Sequence, residues 1–165
     1  MEAPPGASMT PMHPCLPDHP ALAVLPDVPT REQIEAFGTF LQSLEADHAA
    51  PDISTRHHLA GDVYGRSVVI LADTFLVGLP HREDHLNVCV GDITVWTDTG
   101  KVRLTGAHIL PAKAGVMRVG FAHADTTWLS VHVNRTGGHD IPTIEDSLVQ
   151  HADRLLARRT QGAAA

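Results

Sequence analysis

Apolar and polar positions follow two rhythms along this chain, and the change of rhythm divides it. In the first, Ile34, Phe37, Leu41 and Leu44 recur every three or four positions, the spacing of one helix face. Thr30-Arg31-Glu32-Gln33 stands before them in the order of a capping box. There the threonine hydroxyl and the glutamine side chain each satisfy a backbone N–H that the first turn leaves over. This predicts a helix over 30–46, followed by a linker that contains Pro51. From about Arg56 the pattern becomes one of short apolar runs broken by turn residues. It predicts strands over 63–71, 74–79, 86–90, 92–97, 102–105, 108–110, 117–121 and 126–133. Gly91, Asp98-Thr99-Gly100, Gly106, Pro111 to Gly115 and His123-Ala124-Asp125 separate them. Short strands at this spacing, with no helix between them, point to a sandwich or barrel and away from βαβ units. Thr143 is placed at the start of a last helix, over 143–157, with Ile144, Leu148, Ala152 and Leu155 as its apolar face. Arg154, Arg158 and Arg159 suit its C-terminal end.

The segment before the first helix is different in kind. Eight of the twelve prolines lie in residues 1–29. Proline fixes φ and removes a backbone donor, so an extended arm is expected there. Two readings stay open: a tail with no role, or an arm that packs on a neighbouring subunit through Leu16, Leu22, Val24 and Leu25. The resulting division is an arm over 1–29, helix and linker over 30–52, a β-domain over 53–140, and a C-terminal helix and tail over 141–165.

Composition narrows the partners. At 165 residues one domain is expected. Nineteen acidic against twelve basic side chains give a formal charge of −7, which argues against nucleic acid or an anionic membrane as a main partner. Twelve histidines make that charge sensitive to mildly acid pH. No apolar run approaches the roughly 20 residues of a membrane span, and the N-terminal residues lack the pattern of a signal peptide. Cys15 and Cys89 sit in unlike contexts, a Pro-rich arm and a strand, so a reducing cytoplasm is expected and Cys89 is read as a small buried hydrophobe.

The candidate chemistry gathers at His81, Glu83, Asp84 and His85, directly before a strand. Alternation along that strand puts Leu86, Val88 and Val90 on the face of Asp84, read as core, and His85, Asn87 and Cys89 on the other, read as a polar wall. In the last strand Trp128, Ser130 and His132 share one face, so His85, Asn87 and His132 are expected to line one polar interior. The metal ligands expected are His81, His85 and His132, with Asp84 as the carboxylate alternative. Such a set leaves open positions on Fe, Mn, Ni or Zn. The competing reading is a group of hydrogen-bonded rim or core residues without metal. Asn87, Arg118 and His58 are candidate ligand-binding residues. Arg118 suits a carboxylate or phosphate bidentately, or else an ion pair with Asp84 or Asp92. His57-His58 is also readable as a loop pair capping the barrel.

The order of elements resembles the cupin superfamily, a small double-stranded β-helix or jelly roll. The residues that carry this are the His-rich loop, the strand ending at Gly91, and Pro111-Ala112-Lys113-Ala114-Gly115 leading into another strand. More narrowly, Val63-Tyr64-Gly65-Arg66, His85-Leu86-Asn87, Gly91-Asp92-Ile93-Thr94-Val95, Arg118-Val119-Gly120-Phe121-Ala122-His123 and Asp125-Thr126-Thr127-Trp128 look like the small cupin-like proteins of tailed phages and prophages. The likeness covers roughly 56–150. Asp84, seven positions before Gly91, stands where metal-binding cupins carry a glutamate. The chain departs from them in lacking the His-x-His pair and in carrying Arg118 where a second-motif histidine is expected. The resemblance implies an all-β fold with two flanking helices and a barrel that binds a metal ion or small ligand. It implies a homo-oligomer, dimer or higher, and leaves open whether the protein is an enzyme. The alternative is a non-catalytic jelly roll assembled into a phage particle, and so located in the virion.

Overall fold

The computed structural model describes residues 25–47 and 54–150. Helix α1 (Arg31–Asp47) begins where the capping box places it: Thr30 N–H donates to Gln33 Oε1 at 2.8 Å, and Gln33 N–H to Thr30 Oγ1 at 3.3 Å. Six strands follow: β1 (Thr55–Ala60), β2 (Val63–Ile70), β3 (Phe75–Gly78), β4 (His85–Thr97), β5 (Gly100–Ala112) and β6 (Arg118–Val133). Helix α2 (Ile141–Leu148) completes the described elements. All strand pairs are antiparallel, in the order β1-β2-β6-β4-β5, with β3 on the other part of β6. The expected all-β architecture stands: an antiparallel sheet flanked in sequence by a helix on either side.

Several boundaries differ from the pattern reading. Three pairs of expected strands are single long ones, because the separators bend a strand without ending it. Gly91 lies within β4 at an irregularity in the pairing with β6, and Gly106 is carried in register opposite it on β5. His57 and His58 belong to a strand, β1, and not to a loop. The last helix opens at Asp140, whose carboxylate accepts from Thr143 N–H at 3.0 Å; Thr143 sits inside the first turn. The arm residues before Leu25, Cys15 among them, and the helical residues expected after Gln150 lie outside the described residues, as does the side chain of Leu44.

The core has three parts. Inside the barrel Val68, Ile70, Cys89, Ile93, Val95, Leu104 and Ala122 pack together. Ile34 and Phe37 of α1 close one end against Met117 and Val119, with Leu25 alongside. Ile144 and Leu148 of α2 close the other against Tyr64. The second closure matters most here, because Tyr64 pairs across the sheet with His132. Among the described residues no helix is long and apolar enough to cross a membrane.

One expectation about faces is reversed. Alternation places Leu86, Val88 and Val90 in the core, yet Leu86 and Val90 are 47% and 48% exposed. The buried side of β4 carries His85, Asn87 and Cys89. Alternation separates the two faces of a strand without saying which is inside, and here both faces carry apolar residues.

Candidate metal centre

Three imidazoles meet at the α2 end of the barrel. His85 opens β4 and His132 lies near the end of β6, and both are buried. His81 comes from the loop between β3 and β4, pinned on both sides. Its carbonyl accepts from Gly115 N–H at 2.8 Å, and it bridges to Val149 just beyond α2. Arg82 N–H donates to the Leu148 carbonyl at 2.7 Å, and Gln150 N–H to that of Pro80 at 2.9 Å. The loop is thus tied to the turn before β6 and to the end of α2, which carries its histidine inward.

The rings stack with centroids 4.1 Å (His81–His85), 4.7 Å (His81–His132) and 4.5 Å (His85–His132) apart. One ring nitrogen from each lies within 4.8 Å of the other two. His81 Nδ1 and His132 Nε2 are hydrogen-bonded at 2.8 Å. Burial, with like charge on neighbouring imidazoles and on Arg118 and Arg66, holds His81 down to about 2. Burial chiefly, then His85, brings His132 to about 4. Burial also lowers His85. At neutral pH all three are therefore uncharged, the form that ligates metal.

The tautomer of His85 is fixed from two sides. Its Nδ1 donates to the Glu83 carbonyl at 3.0 Å, which leaves Nε2 with a lone pair. Asn87 agrees. Its Oδ1 must be the acceptor, because it receives Trp128 Nε1–H at 3.1 Å and the Ser130 hydroxyl at 2.8 Å. That turns the Asn87 amide NH2 toward His85 Nε2, 3.4 Å away. A carbonyl on the far nitrogen of an imidazole is the usual way to orient a metal ligand. His132 Nδ1 is buried with no hydrogen-bond partner. Three neutral imidazoles, one with its outward nitrogen secured and one with a buried ring nitrogen unanswered, fit a divalent cation of the Fe, Mn, Ni or Zn type.

The structure assembles the expected set in part. His81, His85 and His132 converge, and Asn87 supports them. Asp84 does not join them: its carboxylate accepts from Lys113 Nζ at 2.6 Å and from Ala114 N–H at 2.9 Å, outside the barrel. The Lys113 hydrogen bond leads in holding that carboxyl low. His58 also stands apart from them. It pairs with Gly65 and its Nε2 meets Ser67 Oγ at 2.9 Å, on the outer face. Its neighbour His57 faces inward, 2.9 Å from the Tyr64 hydroxyl. Arg118, at the start of β6, makes neither ion pair expected of it, since Asp92 pairs with Arg103 at 2.8 Å and Asp84 with Lys113. Arg118 is largely buried, and burial lowers it.

Sequence reading missed Tyr64, Arg66 and Glu145. Arg66 Nε lies 3.2 Å from Glu145 Oε1, and the Tyr64 hydroxyl donates to that oxygen at 3.3 Å. Tyr64 and Arg66 stand two apart on β2, opposite His132 and Ser130 on β6, and that parity was the available signal.

No protein-family model matches the chain, and no curated protein does. Solved structures do show likeness. A cupin superfamily protein from Desulfitobacterium hafniense is 11% identical over 50% of this chain and 78% of its own, with a TM-score of 0.43. A cupin-2 domain protein from Shewanella frigidimarina is 12% identical over 57% and 91%, with a TM-score of 0.41. Salicylate 1,2-dioxygenase from Pseudoaminobacter salicylatoxidans, a structure of its gentisate adducts, is 11% identical over 60% and 31%, with a TM-score of 0.43. At such identities and TM-scores these likenesses assign neither a family nor a function to this chain.

Proposed function

We propose that this chain is a cupin-like metal-binding protein that holds one divalent cation with His81, His85 and His132 and receives a small ligand at the open side of that cation. The observation that carries the reading is the convergence of three uncharged, stacked imidazoles, with one nitrogen of each within 4.8 Å of the others. When bound, a cation of this kind supplies Lewis acidity to a ligand oxygen. The chain's own contributions are positional. Glu83 holds the His85 ring through its carbonyl, and Asn87, braced by Trp128 and Ser130, backs it. Arg118 places a fixed positive charge close enough to lower His81 and His85, which favours an anionic ligand such as a carboxylate. The cytoplasmic location and the narrower phage-type kinship rest on the sequence alone.

Metal analysis of untagged protein tests the reading. One equivalent of Fe, Mn, Ni or Zn is expected, with loss of metal and a retained fold in His85→Ala and His132→Ala. A metal-free parent that forms large assemblies would favour the particle-forming alternative instead.

We further propose that the protein is a homo-oligomer, a dimer in its simplest form, joined through the outer face of the sheet. Val88 stands between Ile109 and Leu129, and Leu86 between Pro111 and Val131. Gly65 extends the row beyond Val131. Val63, Val90, Ile109 and Val133 on this face are exposed. An uncharged aliphatic surface continuous over four strands suits a second copy of itself.

A further inference from the structure

Across a small cavity from His81 and His132 stands a second polar group. The cavity, about 30 Å³, is lined by His81, His132, Ser130, Tyr64, Arg66 and Glu145 along with the end of α2. That volume takes a water molecule and little more. Ile144 and Leu148 seat α2 on Tyr64, and the residue between them in the turn, Glu145, is carried inward to 4% exposure. Its Oε1 lies 3.2 Å from Arg66 Nε and receives the Tyr64 hydroxyl at 3.3 Å. The Tyr64 oxygen is 2.9 Å from His57 Nδ1, and the His57 side chain is 28% exposed. Pairing with a guanidinium is what a buried carboxylate needs to stay buried. A purely structural pair has no need of a water-sized cavity on one side and a hydroxyl–imidazole path to the surface on the other.

We propose that Glu145 is the acid–base group of the three-histidine centre, acting on the water or ligand hydroxyl that occupies this cavity. The inference rests on the metal-binding reading above. The Glu145 carboxylate takes the proton of the cavity oxygen, which keeps the electron pair of the broken O–H bond. The Tyr64 hydroxyl turns from Glu145 to His57 Nδ1, and Glu145 then gives its proton to the Tyr64 oxygen as the hydroxyl proton moves to His57 Nδ1. His57 releases a proton to bulk water. One proton has left the cavity and one has reached solvent from His57 Nε2, with Glu145 and Tyr64 restored and His57 left neutral as its Nδ1–H tautomer, which returns by exchange with solvent. Tyr64 and Arg66 act as positioning residues. Among the described residues, the charged and titratable groups around Glu145 include Arg66 and Tyr64 from β2, His57 from β1, and His81 and His132 across the cavity. Asp146 beside it on α2 is exposed.

The test loads the full chain with Co²⁺ and follows its visible absorption against pH. The parent is expected to show one transition. Glu145→Gln, at the same cobalt content, is expected to move the midpoint by about one unit or more, and Glu145→Asp to bring part of it back. An unmoved midpoint overturns the inference, even where the melting temperature falls, and so does a parent spectrum that ignores pH. If Glu145→Gln does not fold, Tyr64→Phe decides, because it removes one hydroxyl and keeps the buried ion pair. A moved midpoint supports the path and an unmoved one overturns it. A parent that takes up no cobalt sinks the metal reading and this inference together. A parent that binds cobalt while both variants titrate like it sinks this inference alone.

Discussion

His81 and His132 are 51 residues apart in sequence, yet their ring nitrogens are hydrogen-bonded at 2.8 Å in the barrel interior. One nitrogen must donate and the other accept, so the pair persists only while both rings are uncharged. Protonating either ring adds charge where burial and the His85 ring already oppose it, and at His81 Arg118 opposes it as well. A cation that binds here takes the place of this bond. The pair therefore links metal loading, pH and folding.

The first prediction concerns acid. In the folded state His81 titrates at about 2 and His132 at about 4, below the ordinary 6.5. The unfolded chain thus binds more protons between these values, and stability falls as pH falls. The contribution is fully present above about 6.5 and is lost progressively on the way down through 4. In chelator, the unfolding free energy from urea titration should drop between pH 7 and pH 4 by an amount on the order of a few kcal/mol. His81→Gln with His132→Gln should flatten that slope. A parent midpoint that does not change with pH would remove the physical basis for three neutral imidazoles.

A second prediction isolates Asn87. Its Oδ1 answers both Trp128 Nε1 and the Ser130 hydroxyl. Asn87→Leu leaves two interior donors unanswered, at roughly 1–3 kcal/mol each for the buried ones, and removes the amide that faces His85 Nε2. Chemical denaturation should register the loss, while competition with a chelating dye should show metal binding that is not weakened, because the amide and a cation compete for the same Nε2 lone pair. Wild-type stability in this variant would mean that the two donors find other acceptors.

Part of this centre was legible in the chain because strand alternation is a local rule. His85, Asn87 and His132 fall on one face by parity alone, and that face is the interior. What parity lacks is the sign, as Leu86 and Val90 show by standing outside. The same gap chose His58 over His57, since only the pairing of β1 with β2 reveals which of them shares a side with Tyr64. Asp84 looked like a ligand by its spacing to Gly91. Lys113 and the Ala114 amide hold it elsewhere, through a turn 29 residues away that no short motif contains. Glu145 was the least visible. Its place depends on how α2 docks, and its neighbours Ile144 and Leu148 mark the helix face without saying what that face meets.

The third prediction concerns Gly91. It holds φ +148° inside β4, and a Cβ built there would lie 2.7 Å from Thr126 Cα. Thr126 cannot yield easily, because its hydroxyl accepts from Asp92 N–H at 3.1 Å and donates to the Ala124 carbonyl at 2.8 Å. Gly91→Ala should therefore cost more than an ordinary strand substitution, at least about 2 kcal/mol, seen as a lowered melting temperature. Gly137→Ala, with φ +66° but open space around it, should cost less. Equal effects would mean that backbone strain and not the Thr126 contact dominates.

The last prediction concerns assembly. Ile109 is 71% exposed, and Val90 and Val133 are about half exposed on the same outer face. Water-exposed aliphatic area of this kind is favourable to bury, at about 25 cal/mol per Å². The residues paired from Leu86 to Val90 with β6 and β5 carry no charge, and the Asp92–Arg103 ion pair stands beyond them along β4 and β5. Light scattering of the parent should give at least twice 17.7 kDa. Ile109→Lys with Val90→Lys places ammonium groups at the centre of that face and should give the monomer mass. The fold should survive, because side chains this exposed contribute little to the core of one copy. Metal content should survive too, since His85 and Asn87 point from the opposite side of β4. A parent that runs as a monomer at micromolar concentration, or a double variant that stays associated, would show that the face serves something else.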